Sequence, residues 1–301
     1  MKKLTGLIVA FVFLGFYAQA QILDPVLGPR AWKKENVKQR EAITLTHVRE
    51  ADVMWSTRIW RELDLRQKIN LPLYFPLDSA VHGKRSFIQI LFDEFLINPA
   101  NFGPNGFKLY KSSEFEEPYT YEEILRIVNR RDSVQKVDED CNLIDTVAEK
   151  LFSDIKPELV KVRLMEDWFF DKQRSVMDVR ILGLGLVFPD YSPDNQNDPN
   201  CDVSVFSGYS PVEGSYSEIW FFFPYIRPTL AVLECYKRHN DAARLSYDDI
   251  FMQRIFSSYI YKQENVYDRK IHDYTAGLDA LLEADKIKNK IFDFEQDLWQ
   301  Y

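Results

Sequence analysis

From Leu159 onward the hydrophobic pattern takes a period of two. Val160, Val162 and Leu164 alternate with Lys161 and Arg163, and a longer run follows in Val176, Val179, Ile181, Leu182, Leu184, Leu186 and Val187. Successive side chains of a strand point to opposite faces, so such alternation commits this stretch to a sheet. The two runs predict a β-hairpin turning near Lys172-Gln173. Residues 218–223 and 229–235 are further strand candidates in the same sheet. Helical patterns precede and follow these strands. The expected fold class is therefore α+β, an antiparallel sheet (about residues 159–235) covered by N- and C-terminal helices. No repeat of fixed period is present, which excludes solenoids and propellers.

The flanking patterns are specific enough to place. Val48, Ala51, Trp55, Ile59 and Leu63 step 3-4-4-4 and predict a helix over residues 46–69, supported by the i,i+4 pair Glu62 and Arg66. Leu71-Pro72 stops it, and residues 71–76 read as an extended apolar connector. A second helix is expected over 86–98, with Phe87, Ile90, Leu91, Phe95 and Leu96 on its buried face. Residues 107–110 suggest a short strand. Thr120-x-x-Glu123 is a capping box opening a helix to 129. Residues 142–152 carry a fainter helical pattern. Residues 189–214 are rich in Asp, Asn, Ser and Pro and read as a long loop. Ser246-x-x-Asp249 opens another helix, extended by the pairs Phe251/Met252, Ile255/Phe256 and Tyr259/Ile260. In the last helix, residues 278 to the end, Ala280, Ala284, Ile287, Ile291, Phe294 and Leu298 step 4-3-4-3-4, a heptad-like seam.

The N-terminus points to export. Met1-Lys2-Lys3 is a cationic start, residues 4–17 are mostly apolar, and Ala18-Gln19-Ala20 is a small-x-small cleavage pattern. The alternative is an N-terminal anchor left uncut. The expected organisation is a signal peptide at 1–20, an extended arm at 21–45, an α+β domain at 46–277 and a C-terminal helix at 278–301. No Cys follows the cleavage pattern, so no lipid is expected on the mature end. The formal charge is −8, and loss of Lys2 and Lys3 makes the mature chain more negative still. That balance gives no footprint for nucleic acid.

Chemistry-bearing motifs are scarce. Cys141, Cys201 and Cys235 allow at most one disulfide and match no metal motif. His47, His82, His239 and His272 do not fall at ligand spacing on one element. Zinc-protease, acyl-transfer and phosphate-loop signatures are missing from the sequence. Gly183-Leu184-Gly185 lies inside a strand pattern and reads as backbone packing or a bulge. The acidic and amide-rich stretch at 190–202, centred on Asp194-Asn195-Gln196-Asn197-Asp198, has oxygen ligands for a hard cation. It lacks the glycine and the twelfth-position Glu of a calcium loop, so a solvated turn fits better. Glu166-Asp167 beside Trp168 offers the acid pair of a glycan-cleaving enzyme, against the simpler reading of a solvated strand edge. No catalytic residue, metal or cofactor is assigned. The candidate partner-interface residues are Trp55 and Trp60 on the first stripe and Ile287, Ile291, Phe294 and Leu298 on the last seam. Plain core is the competing reading for each.

The segment Val48-Arg49-Glu50-Ala51-Asp52-Val53-Met54-Trp55-Ser56 resembles the GldN/PorN family, periplasmic components of the type IX secretion system and gliding machinery. Arg58-Ile59-Trp60-Arg61, Asp64-Leu65-Arg66, Lys68-Ile69-Asn70, Leu71-Pro72-Leu73-Tyr74, Trp168-Phe169-Phe170-Asp171 and Arg180-Ile181-Leu182-Gly183 extend the resemblance along the chain. It implies a non-enzymatic structural role in a periplasmic ring. The implied partners are a GldK/PorK-type outer-membrane lipoprotein, a GldM/PorM-type motor protein and further copies of the chain. The implied place is the periplasm, held peripherally at the outer membrane by the lipoprotein. A glycan-binding or glycan-cleaving periplasmic protein is the alternative.

Overall fold

A computed structural model describes residues 40–77, 80, 83–98, 106–137, 143–197, 204–237 and 244–298. The expected signal peptide, the expected arm up to residue 39, His82, His239, Cys141 and Cys201 lie outside the described residues. Six strands form one antiparallel sheet in the order β2-β7-β6-β5-β1-β8. They are β1 (Val53–Asp64), β2 (Leu109–Tyr110), β5 (Lys161–Asp171), β6 (Val176–Asn197), β7 (Ser204–Phe222) and β8 (Tyr259–Gln263). A separate hairpin pairs β3 (Arg130–Val137) with β4 (Leu143–Lys150). The helices are α1 (Leu71–Tyr74), α2 (Phe87–Leu91), α3 (Tyr121–Val128), α4 (Phe152–Ile155), α5 (Phe223–Val232), α6 (Tyr247–Met252) and α7 (Leu278–Leu298). The α+β class stands, and the hairpin turns at residues 172–175 between β5 and β6 as expected.

Several elements differ from expectation, each for a physical reason. The helix expected at 46–69 is strand β1, paired with β5 on one side and β8 on the other. Trp55, Ile59 and Leu63 recur every four residues, a spacing that marks one helical stripe and equally one face of a strand. The sheet thus reaches well outside residues 159–235. The faint helix at 142–152 is β4. The loop expected at 189–214 is mostly strand, because β6 runs on to Asn197 and β7 starts at Ser204. Its polar side chains serve the ladder: Asp190 accepts from the Ser215 and Ser217 hydroxyls at 2.6 and 2.7 Å. Residues 229–235, expected as strand, belong largely to α5. That helix opens with Pro224 in its first turn, where no N–H is required. The helix opened by Ser246 stops at Met252, and Tyr259 and Ile260 belong to β8. The connector at 71–76 contains the short α1.

Other expectations hold. Helix α2 begins at N-cap Ser86, whose hydroxyl accepts from Gln89 N–H, and continues as a π-turn over Phe92–Leu96. Thr120 and Glu123 form the reciprocal capping box of α3, and Ser246 with Asp249 forms that of α6.

The main core lies on one sheet face. Leu63, Leu164, Leu184 and Phe221, one from each of four neighbouring strands, bury against Phe87 and Leu91 of α2, Ile226 and Leu230 of α5 and Phe251 of α6. The opposite face has its own aromatic cluster: Trp60, Met165, Trp220 and Tyr261. Here the two glycines act. A Cβ on Gly185 would lie 2.9 Å from Trp220 Cε2, and one on Gly183 2.9 Å from Phe115 Cζ. Both glycines therefore admit aromatic rings to the sheet surface, and a bulge at Leu182, just before Gly183, lies opposite Met165/Glu166.

Candidate functional site

Strand alternation decides which side chains meet. Trp55, Ile59, Arg61 and Leu63 of β1 share the helix-covered face with Val162, Leu164, Glu166 and Trp168 of β5. Glu166 stands opposite Ile59 and is 0% exposed. A carboxylate in such a place must be paired. Its Oε2 accepts from Arg61 Nε at 2.9 Å, Arg254 Nη2 at 3.0 Å and the Trp168 indole N–H at 3.1 Å. Arg254 Nη1 lies 2.9 Å from Oε1. Burial lowers the Arg61 guanidinium below its ordinary value; Glu166 opposes that and Arg254 adds to it.

Arg254 reaches the site from the end of α6. Ile255 N–H bonds Ile250 C=O at 2.9 Å and Arg254 N–H bonds Phe251 C=O at 3.2 Å, a Schellman ending with Arg254 at the left-handed position, φ 55°. Its guanidinium lies 5.3 Å from the Trp168 ring centroid and 5.4 Å from that of Phe256. The side chain remains 31% exposed.

Helix α7 covers the rest of this face. Ala280, Ala284, Ile287 and Ile291 bury against Ile59, Ile260 and Ile271. Phe294 stacks on Trp55 with centroids 4.7 Å apart. The structure thus brings together Trp55, Ile287, Ile291 and Phe294, and does so within the chain. Within the chain Ile287 and Ile291 are buried in this seam, and Trp55 and Phe294 are partly buried. Trp60 points to the opposite face. Leu298 closes α7, and its side chain lies outside the described ones. What α7 leaves exposed is a different set: Leu278, Leu281, Leu282 and Phe292. A cleft flanks the helix on each side. One, of 480 Å³, is lined by Arg61, Ile69, Trp168, Arg254, Lys288 and Phe292. The other, of 570 Å³, is lined by Trp55, Thr57, Gln263, Lys290 and Phe294.

Adjacent strand residues face apart, so Glu166 and Asp167 do not converge. Asp167 is held by Arg58 at 2.7 and 3.2 Å. His47 and His272 are exposed. Cys235 is a buried free thiol. The described residues hold no group of His, Cys, Asp and Glu suited to a metal, and the 190–202 stretch is described only as far as Asn197. No described helix is long and apolar enough to cross a membrane.

The GldN family, gliding motility associated protein GldN, matches residues 48–300. The chain belongs to this family. No curated protein matches it. The match begins at the segment that carried the resemblance and includes the whole six-stranded sheet and α7. The GldN family is a gliding-motility component and not a known enzyme family.

In this GldN-family chain the groups missed by sequence reasoning are Arg61 and Arg254 on one face and Arg163 on the other. Arg163 lies 4.7 Å from the rings of both Tyr216 and Tyr261. It donates to Glu62 at 3.1 Å and to Glu218. Burial pulls its guanidinium down, but Glu218, Tyr261, Tyr216 and Glu62 outweigh that and hold it above its ordinary value. Burial likewise pushes the Glu62 carboxyl up, and Tyr259, Lys161 and Arg163 bring it below the usual range. The available signal was parity. Glu166 continues the inward series Val162, Leu164, and a charge at an inward position requires a partner.

Proposed function

We propose that this chain is a non-enzymatic structural subunit of the type IX secretion system. In this reading it is exported and resides in the periplasm. It builds a ring there with a GldK/PorK-type outer-membrane lipoprotein, which holds it at that membrane, and it contacts a GldM/PorM-type motor protein. Protein secretion and gliding depend on it. The observation that carries the reading is the family match over residues 48–300. The fixed character of the site supports it. Glu166 and Arg163 are each locked in multiple charge-assisted hydrogen bonds, which suits a rigid docking body.

Deletion of the gene tests the role. The expected strain neither glides nor releases its secreted cargo, and complementation restores both. A deletion strain that glides and secretes like its parent overturns the proposal. For the assembly, the mature chain and its lipoprotein partner should co-elute on sizing as a large species; separate elution removes the ring.

A further inference from the structure

We infer that the 480 Å³ cleft beside α7 receives an acidic side chain, flanked by an apolar one, from a peptide segment of a partner protein, with Arg254 binding the carboxylate. The inference rests on the structural-subunit reading in taking the occupant to be a protein.

Two independent observations lead to it. The first is the backbone of Arg254. The left-handed position that ends a Schellman motif favours glycine, which has no Cβ to crowd the following carbonyl. This chain places an arginine there instead, at φ 55°. The side chain thus stands against the local conformational preference, and its pairing with Glu166 holds it among the residues that line the cleft. The second is the surplus at the site. Oε2 of Glu166 already accepts from Arg61 and Trp168. Arg254 donates Nη2 to Oε2, and its Nη1 lies 2.9 Å from Oε1 without a hydrogen bond there, out of five N–H groups in a planar fork. The remainder of the group lines the cleft, partly exposed.

Charge and shape define the occupant. Arg61, Arg254 and Lys288 face Glu166 and Glu295 around the cleft, one positive charge in excess on a chain of net charge −8. The Arg254 guanidinium lies 5.3 Å from the Trp168 ring centroid and 5.4 Å from that of Phe256, and a guanidinium is the side-chain cation best suited to grip a carboxylate. Ile69 and Phe292 stand exposed at 49% and 57%, on two separate elements of the rim. A segment that offers a carboxylate next to an apolar side chain meets both features.

The test uses the full chain in its native cells, with photo-reactive benzoyl-phenylalanine in place of Ile69. After irradiation, mass spectrometry identifies the adduct. The expected adduct is a peptide with Asp or Glu beside an apolar residue. Phe292→Asp adds like charge at an exposed position and should lower adduct yield about tenfold, whereas Phe292→Leu, which keeps the rim apolar, should leave it within about twofold. Arg254→Gln should also lower it about tenfold, as expected for losing one charge-assisted hydrogen bond. Melting of each purified variant separates this from loss of fold, and Phe292 has no buried role to lose. No adduct, an adduct to glycan or lipid, an adduct peptide without a carboxylate, equal behaviour of the two Phe292 variants, or full yield with Arg254→Gln would each overturn the inference. A deletion strain that still glides and secretes overturns the structural-subunit reading instead, so the two failures are distinguishable.

Discussion

Gly185→Ala tests whether the sheet's second face is packed as tightly as described. The new Cβ would lie 2.9, 3.0 and 3.1 Å from Cε2, Cδ2 and Cζ2 of Trp220. That ring cannot withdraw easily. It is 1% exposed, and its indole N–H is tied to Glu218 Oε2 at 2.7 Å. Overpacking a core by one methyl costs about 1–3 kcal/mol, and contact with three atoms of a pinned ring favours the upper end. Replacing a strand glycine by alanine returns about 0.5–1 kcal/mol of backbone entropy. The clash wins, and the net loss is about 2 kcal/mol. In a domain of this size that is a fall in Tm of about 4–8 °C. Circular dichroism melting measures it, with Gly208→Ala as the control, since nothing lies within 4 Å of a Cβ there. Combining Gly185→Ala with Trp220→Leu should recover at least about 0.5 kcal/mol relative to additivity. A Gly185→Ala protein that melts with its parent, or strict additivity with Trp220→Leu, would refute the reasoning.

Glu166→Gln leaves Arg61 and Arg254 facing a neutral amide and should cost about 3–5 kcal/mol in urea unfolding; an unchanged midpoint contradicts the pairing. Trp60→Ala empties a buried site (3% exposed) and should cost about 3–5 kcal/mol. The Trp55–Phe294 stack, part exposed, should show a coupling of only about 0.5–1.5 kcal/mol in a double-mutant cycle, so equal losses from both tryptophans would argue against their opposite faces. The Glu123 carboxyl is held down to about 2, first by the Thr120 backbone N–H and then by Lys111 and the Thr120 hydroxyl. Its support for the α3 cap is therefore full above its ordinary value of 4.5 and is lost as pH falls through 2; an NMR titration midpoint near 4 would refute that. Burial pushes the Cys235 thiol up to about 12, so a thiol reagent at pH 8 should label it only after denaturation in a chain with Cys141 and Cys201 changed to Ser.

The sequence carried the centre of the fold and obscured its edges. The β5–β6 hairpin was legible because its alternation runs through residues with strong strand preference, and the α3 and α6 starts were legible because capping chemistry is local. β1 was misread because four is both a helical repeat and a multiple of two. The distal halves of β6 and β7 were hidden by composition: Asp190, Ser215 and Ser217 look like loop residues, yet they bond one another across the ladder. At the candidate site the α7 seam was visible as a pattern, but not its docking partner, since Ile59 and Ile260 lie far away in sequence. Arg254 gave no local signal, because a left-handed arginine is recognisable only from its backbone.

The position of β1 also governs when this protein can finish folding. Residues 59–63 are buried in succession between β5 and β8, and Arg58 and Glu264, 206 residues apart, bond across the β1–β8 end. A chain emerging N-terminus first, from a ribosome or a membrane pore, presents β1 long before either neighbour exists. Pairing must wait for residue 161 and then for residue 263. Such separation raises contact order and slows closure of the sheet, and until then a twelve-residue strand with two open edges is an aggregation hazard. The fold is thus one that cannot be completed halfway through threading, and a holdase that shields residues 53–64 during that interval should raise the yield of native protein.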